Sequence, residues 1–182
     1  MTADPATTVR REPDAHEAAR RAALDAAVRF LGRREYGRRE LARKLRAKGH
    51  ADAQVEAVLD YLAEHDLQSD ERYVDAYCRS RTRRGYGPLK IRQELASRGI
   101  DETDVERGLT ASAEFWMEQA HAALGKRGAS HRGALHRGAS HDDDSHDDGA
   151  ARDEWNARAR FLARRGFPSD LISRVLGGRE GG

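Results

Sequence analysis

The sequence predicts an all-α protein assembled from tandem three-helix repeats. Three observations lead there. Tyr36-Gly37 recurs as Tyr86-Gly87, and the same apolar skeleton follows each copy: Leu41, Leu45, Gly49, Val55 and Leu59 answer to Ile91, Leu95, Gly99, Val105 and Leu109, all at an offset of 50 residues. Charge repeats with the same period. Residues 29–48 carry nine Lys or Arg and 50–78 eight Asp or Glu, then 79–98 carry seven basic and 101–118 six acidic residues. Leu, Ile, Val and Phe number only 29 of 182 residues, too few for one large core, while alanine-rich stretches favour helix. Self-similarity of this length marks a supersecondary unit that must stack on its neighbours to hide its apolar face. Such arrays present surfaces to partners, so a binder is expected before a pocket enzyme.

The elements follow in order. Residues 1–16 hold Pro5 and Pro13 without an apolar period and are expected to be a disordered N-terminal tail. From Ala18 to Arg34, Ala23, Ala27, Phe30 and Leu31 fall on one helical face. Leu41 and Leu45 place a second helix over 38–48, ended by Gly49. Asp52 is a suitable cap for a third helix that buries Val55, Val58, Leu59 and Leu62. In the next unit Ser69 caps a helix with Tyr73, Val74, Tyr77 and Cys78 as its inward stripe. Pro88 suits the first turn of the following helix, since its missing N–H is unneeded there. Ile91 and Leu95 pack inward, Gly99 stops that helix, and Asp101 or Glu102 opens the next around Val105 and Leu109. A weaker third copy has Phe115, Trp116, Ala120 and Leu124 in its first helix, then Leu162, Gly166, Ile172, Val175 and Leu176, with Arg158 where the earlier copies have Leu41 and Ile91. The repeats are therefore expected at 17–66, 67–111 and 112–178, with a disordered C-terminal tail at 179–182. The third is interrupted at 125–150 by a low-complexity His/Asp-rich insertion, where His131, His136, His141 and His146 recur every five residues, and this stretch is expected to be disordered.

Pocket chemistry finds little support. The His/Asp insertion has metal-ligand residue types but no apolar face to preorganise them, so no metal or cofactor is expected. Cys78 lies on an apolar stripe and reads as a buried thiol, and as the sole cysteine it excludes an intrachain disulfide. Asp60 and Glu64, one turn apart, read as solvated surface in an acidic block. No phosphate loop, zinc-protease helix, nucleophile elbow or Cys-x-x-Cys is present. No run approaches the roughly 18 apolar residues that cross a bilayer, and the polar N-terminus lacks a signal core. A soluble cytoplasmic protein is the expectation.

The basic strips are the better candidates. Arg33, Arg34, Arg38, Arg39, Arg43, Lys44 and Lys48 cluster around the first Tyr-Gly turn; Arg79, Arg81, Arg83, Arg84, Lys90 and Arg92 cluster around the second. Arg33 and Arg34 correspond to Arg83 and Arg84 at the common offset. Guanidinium groups fork onto phosphate or carboxylate, and each neutralised phosphate adds salt-dependent affinity. The dull alternative is that each block is the solvated side of a helix, with signs balanced for solubility. Tyr36 and Tyr86 can stack on bases, although a tyrosine beside glycine at a helix junction more often packs. Nothing here specifies base edges, so sequence-specific DNA recognition is not supported.

Three segments carry a family resemblance: Y-G-R-R-E-L-A-R-K-L-R-A-K-G, ending at Gly49; D-E-R-Y-V-D-A-Y-C-R-S-R, starting at Asp70; and R-R-G-Y-G-P-L-K-I-R-Q-E-L-A-S-R-G-I, ending at Ile100. Over residues 20–110, and more loosely over 150–176, the chain resembles the RecX family, bacterial regulators of the RecA recombinase. The resemblance implies three tandem three-helix repeats in an elongated, curved molecule. It implies a non-enzymatic inhibitor without cofactor that binds RecA–single-stranded DNA filaments and suppresses filament growth, ATP hydrolysis and strand exchange in DNA repair and recombination; a monomer is the expectation. Two features depart from that pattern: the insertion, and Gly37 where many relatives have serine. The alternative kept open is a general helical-repeat single-stranded DNA binder without RecA specificity.

Overall fold

The computed structural model describes residues 11–132 and 148–177. Among these, every regular element is a helix: α1 (Arg11–Leu31), α2 (Arg38–Ala47), α3 (Asp52–Glu64), α4 (Asp70–Arg83), α5 (Pro88–Ser97), α6 (Glu102–Leu109), α7 (Ala113–Arg132), α8 (Asp148–Arg165) and α9 (Ser169–Val175). The order reproduces the tandem three-helix pattern. The helices group into two compact units, Met1–Ala76 with Arg98–Asp104 and Tyr77–Ser97 with Val105–Gly182.

In the first unit α1, α2 and α3 pack mutually around Ala23, Ala27, Leu41, Leu45, Val55, Val58, Leu59 and Leu62, all essentially fully buried. Small alanines on α1 let the helices approach closely, which is how so few large apolar residues close a core. The second unit buries Ile91, Leu95, Val105, Leu109, Trp116, Ala120 and Leu162, and α9 adds Leu171, Ile172 and Val175 as it packs between α7 and α8. Leu45, Leu95 and Leu162 occupy equivalent places four residues before Gly49, Gly99 and Gly166. These glycines have φ of 87°, 79° and 84°, the left-handed conformation that ends a helix at low cost only without a Cβ. Arg158, which stands where Leu41 and Ile91 are buried, is exposed and pairs with Glu154 one turn away.

Several boundaries differ from the sequence expectation. Helix α1 begins at Arg11, within the expected tail, with Pro13 in its first turn, where proline is tolerated; residues 1–10 lie outside the described residues. Ala51 rather than Asp52 occupies the cap of α3, the Gln54 side chain accepts from the Ala51 N–H at 3.1 Å, and Asp52 turns instead to Arg46 at 2.6 Å. Ser69 and Asp101 cap as expected: Ser69 Oγ accepts from Arg72 N at 3.2 Å and Asp101 Oδ1 from Thr103 N at 2.9 Å. The stretch expected as a disordered insertion is helical at both flanks, because α7 continues to Arg132 and α8 starts at Asp148. Its extension is held by side chains, with Lys126 Nζ donating to the Arg83 carbonyl at 2.7 Å and Arg127 Nη1 to the Ala157 carbonyl at 3.2 Å. Residues 133–147, with His136, His141 and His146, and the expected tail at 179–182 lie outside the described residues.

One joint recurs. In the first unit a Cβ on Gly37 would meet Ile100 Cδ1 at 3.0 Å and the Tyr73 ring at 3.3 Å, and the Arg39 side chain crosses Gly99. In the second, Gly87 N donates to the Arg165 carbonyl at 2.8 Å and Leu89 N to the Gly166 carbonyl at 3.0 Å. A Cβ on Gly87 would lie 2.5 Å from the Gly166 oxygen. Each Tyr-Gly turn therefore docks on the glycine turn that ends the corresponding helix of the next repeat.

Candidate nucleoprotein interface

The fourteen candidate residues sort by what their side chains already touch. On the first unit, Arg34 makes a forked pair with Glu40, Nη2 to Oε1 at 2.5 Å, and its guanidinium lies 3.6 Å from the Tyr36 ring centre. Arg38 reaches across to α3, bonding Glu56 at 3.1 Å and Asp60 at 2.7 Å, while its backbone N–H donates to Asp70 at 2.7 Å. Lys44 and Lys48 lie 5.3 and 5.7 Å from the Phe30 ring. On the second unit Arg92 pairs with Glu106 at 2.7 Å, and Lys90 is half-buried against the Gly166 turn. Glu56 and Glu106 are repeat equivalents, and each receives a guanidinium from the preceding helix. The basic and acidic blocks, segregated along the chain, thus meet across α2 and α3.

Arg81 departs furthest from expectation. Its Nε donates to Glu94 Oε2 at 2.6 Å, its Nη2 donates to Oε1, and the Tyr77 hydroxyl donates to the same carboxylate at 2.7 Å. Both charged side chains are mostly buried. Burial works to raise the Glu94 carboxyl, but the Arg81 and Tyr77 hydrogen bonds outweigh it and hold its pKa below the ordinary glutamate value. Leaving this triad would strand a half-buried carboxylate, so Arg81 is a structural cation and not a free contact. The pairs of Arg38 and Arg92 are more exposed and worth only about 0.2–1 kcal/mol each, which a phosphate can displace.

Tyr36 is buried and packs against Phe30 at 5.8 Å, so its ring is core. Tyr86 is half-buried, with the Arg81 and Arg165 guanidiniums 4.6 and 5.1 Å from its centre. Arg165, absent from the sequence-level candidates, also donates to the Arg84 carbonyl at 2.6 Å and covers Phe161 at 5.0 Å. It lies 79 residues beyond Tyr86, and no local spacing signals that contact.

Six candidates remain: Arg33, Arg39 and Arg43 on the first unit, Arg79, Arg83 and Arg84 on the second. All are exposed and form no salt bridge among the described residues. Arg39 and Arg43 border a shallow groove with Arg46 and Glu56 on the α2–α3 side. Arg79 and Arg83, one turn apart on α4, border another with Phe115 and Trp116. Among the described residues no group of three or more His, Cys, Asp or Glu has metal-binding geometry, and no helix is long and apolar enough to cross a membrane.

Comparison with known proteins completes this picture. Models for the first, second and third three-helix domains of RecX match residues 23–62, 69–109 and 148–176. Regulatory protein RecX of Pseudomonas putida (strain GB-1) is 40% identical over 170 residues, 92% of this chain and 94% of that protein. That of Pseudomonas syringae pv. tomato is 39% identical over 168 residues, 92% of this chain and 96% of that protein. The crystal structure of RecX from Lactobacillus salivarius shares the fold with a TM-score of 0.69 at 22% identity, covering 88% of this chain and 96% of that one. A second crystal structure of a regulatory protein RecX gives 0.71 at 21% identity, covering 96% of this chain and 78% of that one. With three domain models matched in order and relatives aligned over nearly its whole length, this chain belongs to the RecX family of regulatory proteins.

Proposed function

We propose that the protein is a non-enzymatic cytoplasmic inhibitor of RecA that binds RecA–single-stranded DNA filaments and slows their growth, ATP hydrolysis and strand exchange. One observation carries this reading. Among the candidate residues of this RecX-family chain, three exposed arginines in each of two repeats, Arg33, Arg39 and Arg43 and then Arg79, Arg83 and Arg84, lie outside any salt bridge among the described residues, and Arg33 and Arg83 are repeat equivalents. Uncommitted guanidiniums fork onto phosphate or carboxylate, the two anionic groups that a nucleoprotein filament offers. Within each unit the Tyr-Gly turn is braced against the end of a neighbouring helix, which suits a protein that clamps a partner more than one that turns over a substrate.

The test is RecA ATP hydrolysis on single-stranded DNA. Inhibition is expected at less than one protein per RecA, and it should persist when free single-stranded DNA is added in excess. No inhibition, or equal inhibition of an unrelated DNA-dependent ATPase, removes the specific reading. The second reading, a general single-stranded DNA binder, rests on the same arginines and predicts instead that excess DNA restores hydrolysis.

A further inference from the structure

The groove beside α4 in the second unit has features that charge alone does not need. Arg79 and Arg83 flank it, one helical turn apart, both exposed and outside any salt bridge among the described residues. Phe115 and Trp116, in the first turn of α7, complete the lining, packed edge to face with centroids 5.2 Å apart and planes at 78°. Trp116 is 7% exposed and closes the groove, while Phe115, at 39%, is the one aromatic among the large exposed apolar residues described. Thr82 and Gln119 add hydrogen-bonding groups to the lining.

An apolar face of this size beside two unpaired cations fits a ligand that is planar and apolar at one end and anionic at the other. A nucleotide of a single strand has that form: the base stacks on an aromatic ring and the flanking phosphates meet guanidinium groups. The i, i+4 spacing sets the two arginines about 6 Å apart along α4, close to the separation of successive phosphates on a strand. In duplex DNA both faces of each base are taken by its neighbours, so the groove favours single strands. An acidic peptide meets the same cations, and its amides can bond Thr82 and Gln119 as a base edge can; the exposed Phe115 ring favours the nucleotide, because every base presents a flat π-face to it.

We infer that the groove formed by Arg79, Arg83, Phe115 and Trp116 is a base-stacking site for single-stranded nucleic acid. The inference rests on the proposed contact with single-stranded DNA and deepens it, turning a sequence-independent charge contact into a grip on an individual unstacked base.

The test uses the full chain carrying Trp155→Phe, which leaves Trp116 as the sole tryptophan reporter. Oligo(dT) should quench its fluorescence, and an oligonucleotide of equal length and charge with abasic sites should bind about tenfold more weakly. Phe115→Ala should erase that preference and leave the salt dependence of binding unchanged, whereas Arg79→Ala should make the salt dependence shallower. Because the abasic comparison needs no variant in the groove, it stands even if Phe115→Ala folds poorly. Equal affinity for dT and abasic strands overturns the base site while leaving the filament reading in place. Quenching by a phenylalanine-containing polyglutamate peptide but not by oligo(dT) overturns it in favour of a protein ligand. Absence of any binding to single strands also overturns the base site, while the filament reading stands or falls on the hydrolysis assay.

Discussion

Arg81, Glu94 and Tyr77 show how a residue that looks functional in sequence becomes structural. Viewed as a run, Arg79, Arg81, Arg83 and Arg84 are four like charges, yet their neighbours separate them. The Arg81 guanidinium is held by a carboxylate 13 residues away and lies over the Tyr86 ring, whereas Arg79, Arg83 and Arg84 face solvent. Because the folded pKa of Glu94 is depressed, its contribution to stability is present above the unfolded glutamate value near 4.3 and is lost as pH falls through the lower folded value. Glu94→Gln should cost about 1–3 kcal/mol at neutral pH and lose less stability than the wild type as pH falls below the ordinary glutamate value, read by urea denaturation at each pH. An equal acid sensitivity in both proteins contradicts the triad. What made Arg81 illegible is that nothing in a run of basic residues says which one meets a carboxylate from the next helix.

At the scale of the element, the repeat skeleton was legible and the contacts that join repeats were not. Leu41, Leu45 and Gly49 mark a helix and its stop by spacing alone, and Gly166 marks the same stop in the third copy. The early start of α1 and the long reach of α7 could not be seen that way. The added residues 11–16 of α1 and 125–132 of α7 carry no apolar stripe, and α7 is anchored by Lys126 to a carbonyl 43 residues earlier. The joint yields a sharp contrast. A Cβ at position 87 collides with the backbone of Gly166 and Phe167, which cannot yield without moving the turn between α8 and α9. At position 37 it meets the tip of the Ile100 side chain, which can rotate away. Gly87→Ala should therefore destabilise by about 1–3 kcal/mol or more, and Gly37→Ala by under about 1 kcal/mol, compared by thermal unfolding. Equal losses at both sites would mean the two joints are alike in rigidity, against the contrast drawn here.

For the whole molecule, a net charge of +2 conceals both committed and uncommitted cations. The acidic helices pair with Arg38, Arg46 and Arg92. Six candidate arginines stay exposed outside any salt bridge among the described residues, and on the proposed function these define the expected salt dependence. On single-stranded DNA, Arg83→Ala with Arg84→Ala should make the log–log slope shallower by about 1.4, roughly 0.7 for each phosphate no longer neutralised. An unchanged slope would assign DNA binding to other residues. The central claim, that these uncommitted arginines engage the RecA filament, is tested most directly by titrating RecA ATP hydrolysis with the Arg83→Glu, Arg84→Glu double variant, whose thermal unfolding should match the wild type because both side chains are exposed. The concentration for half-inhibition should rise about tenfold or more. A folded double variant that inhibits as well as the wild type would contradict it.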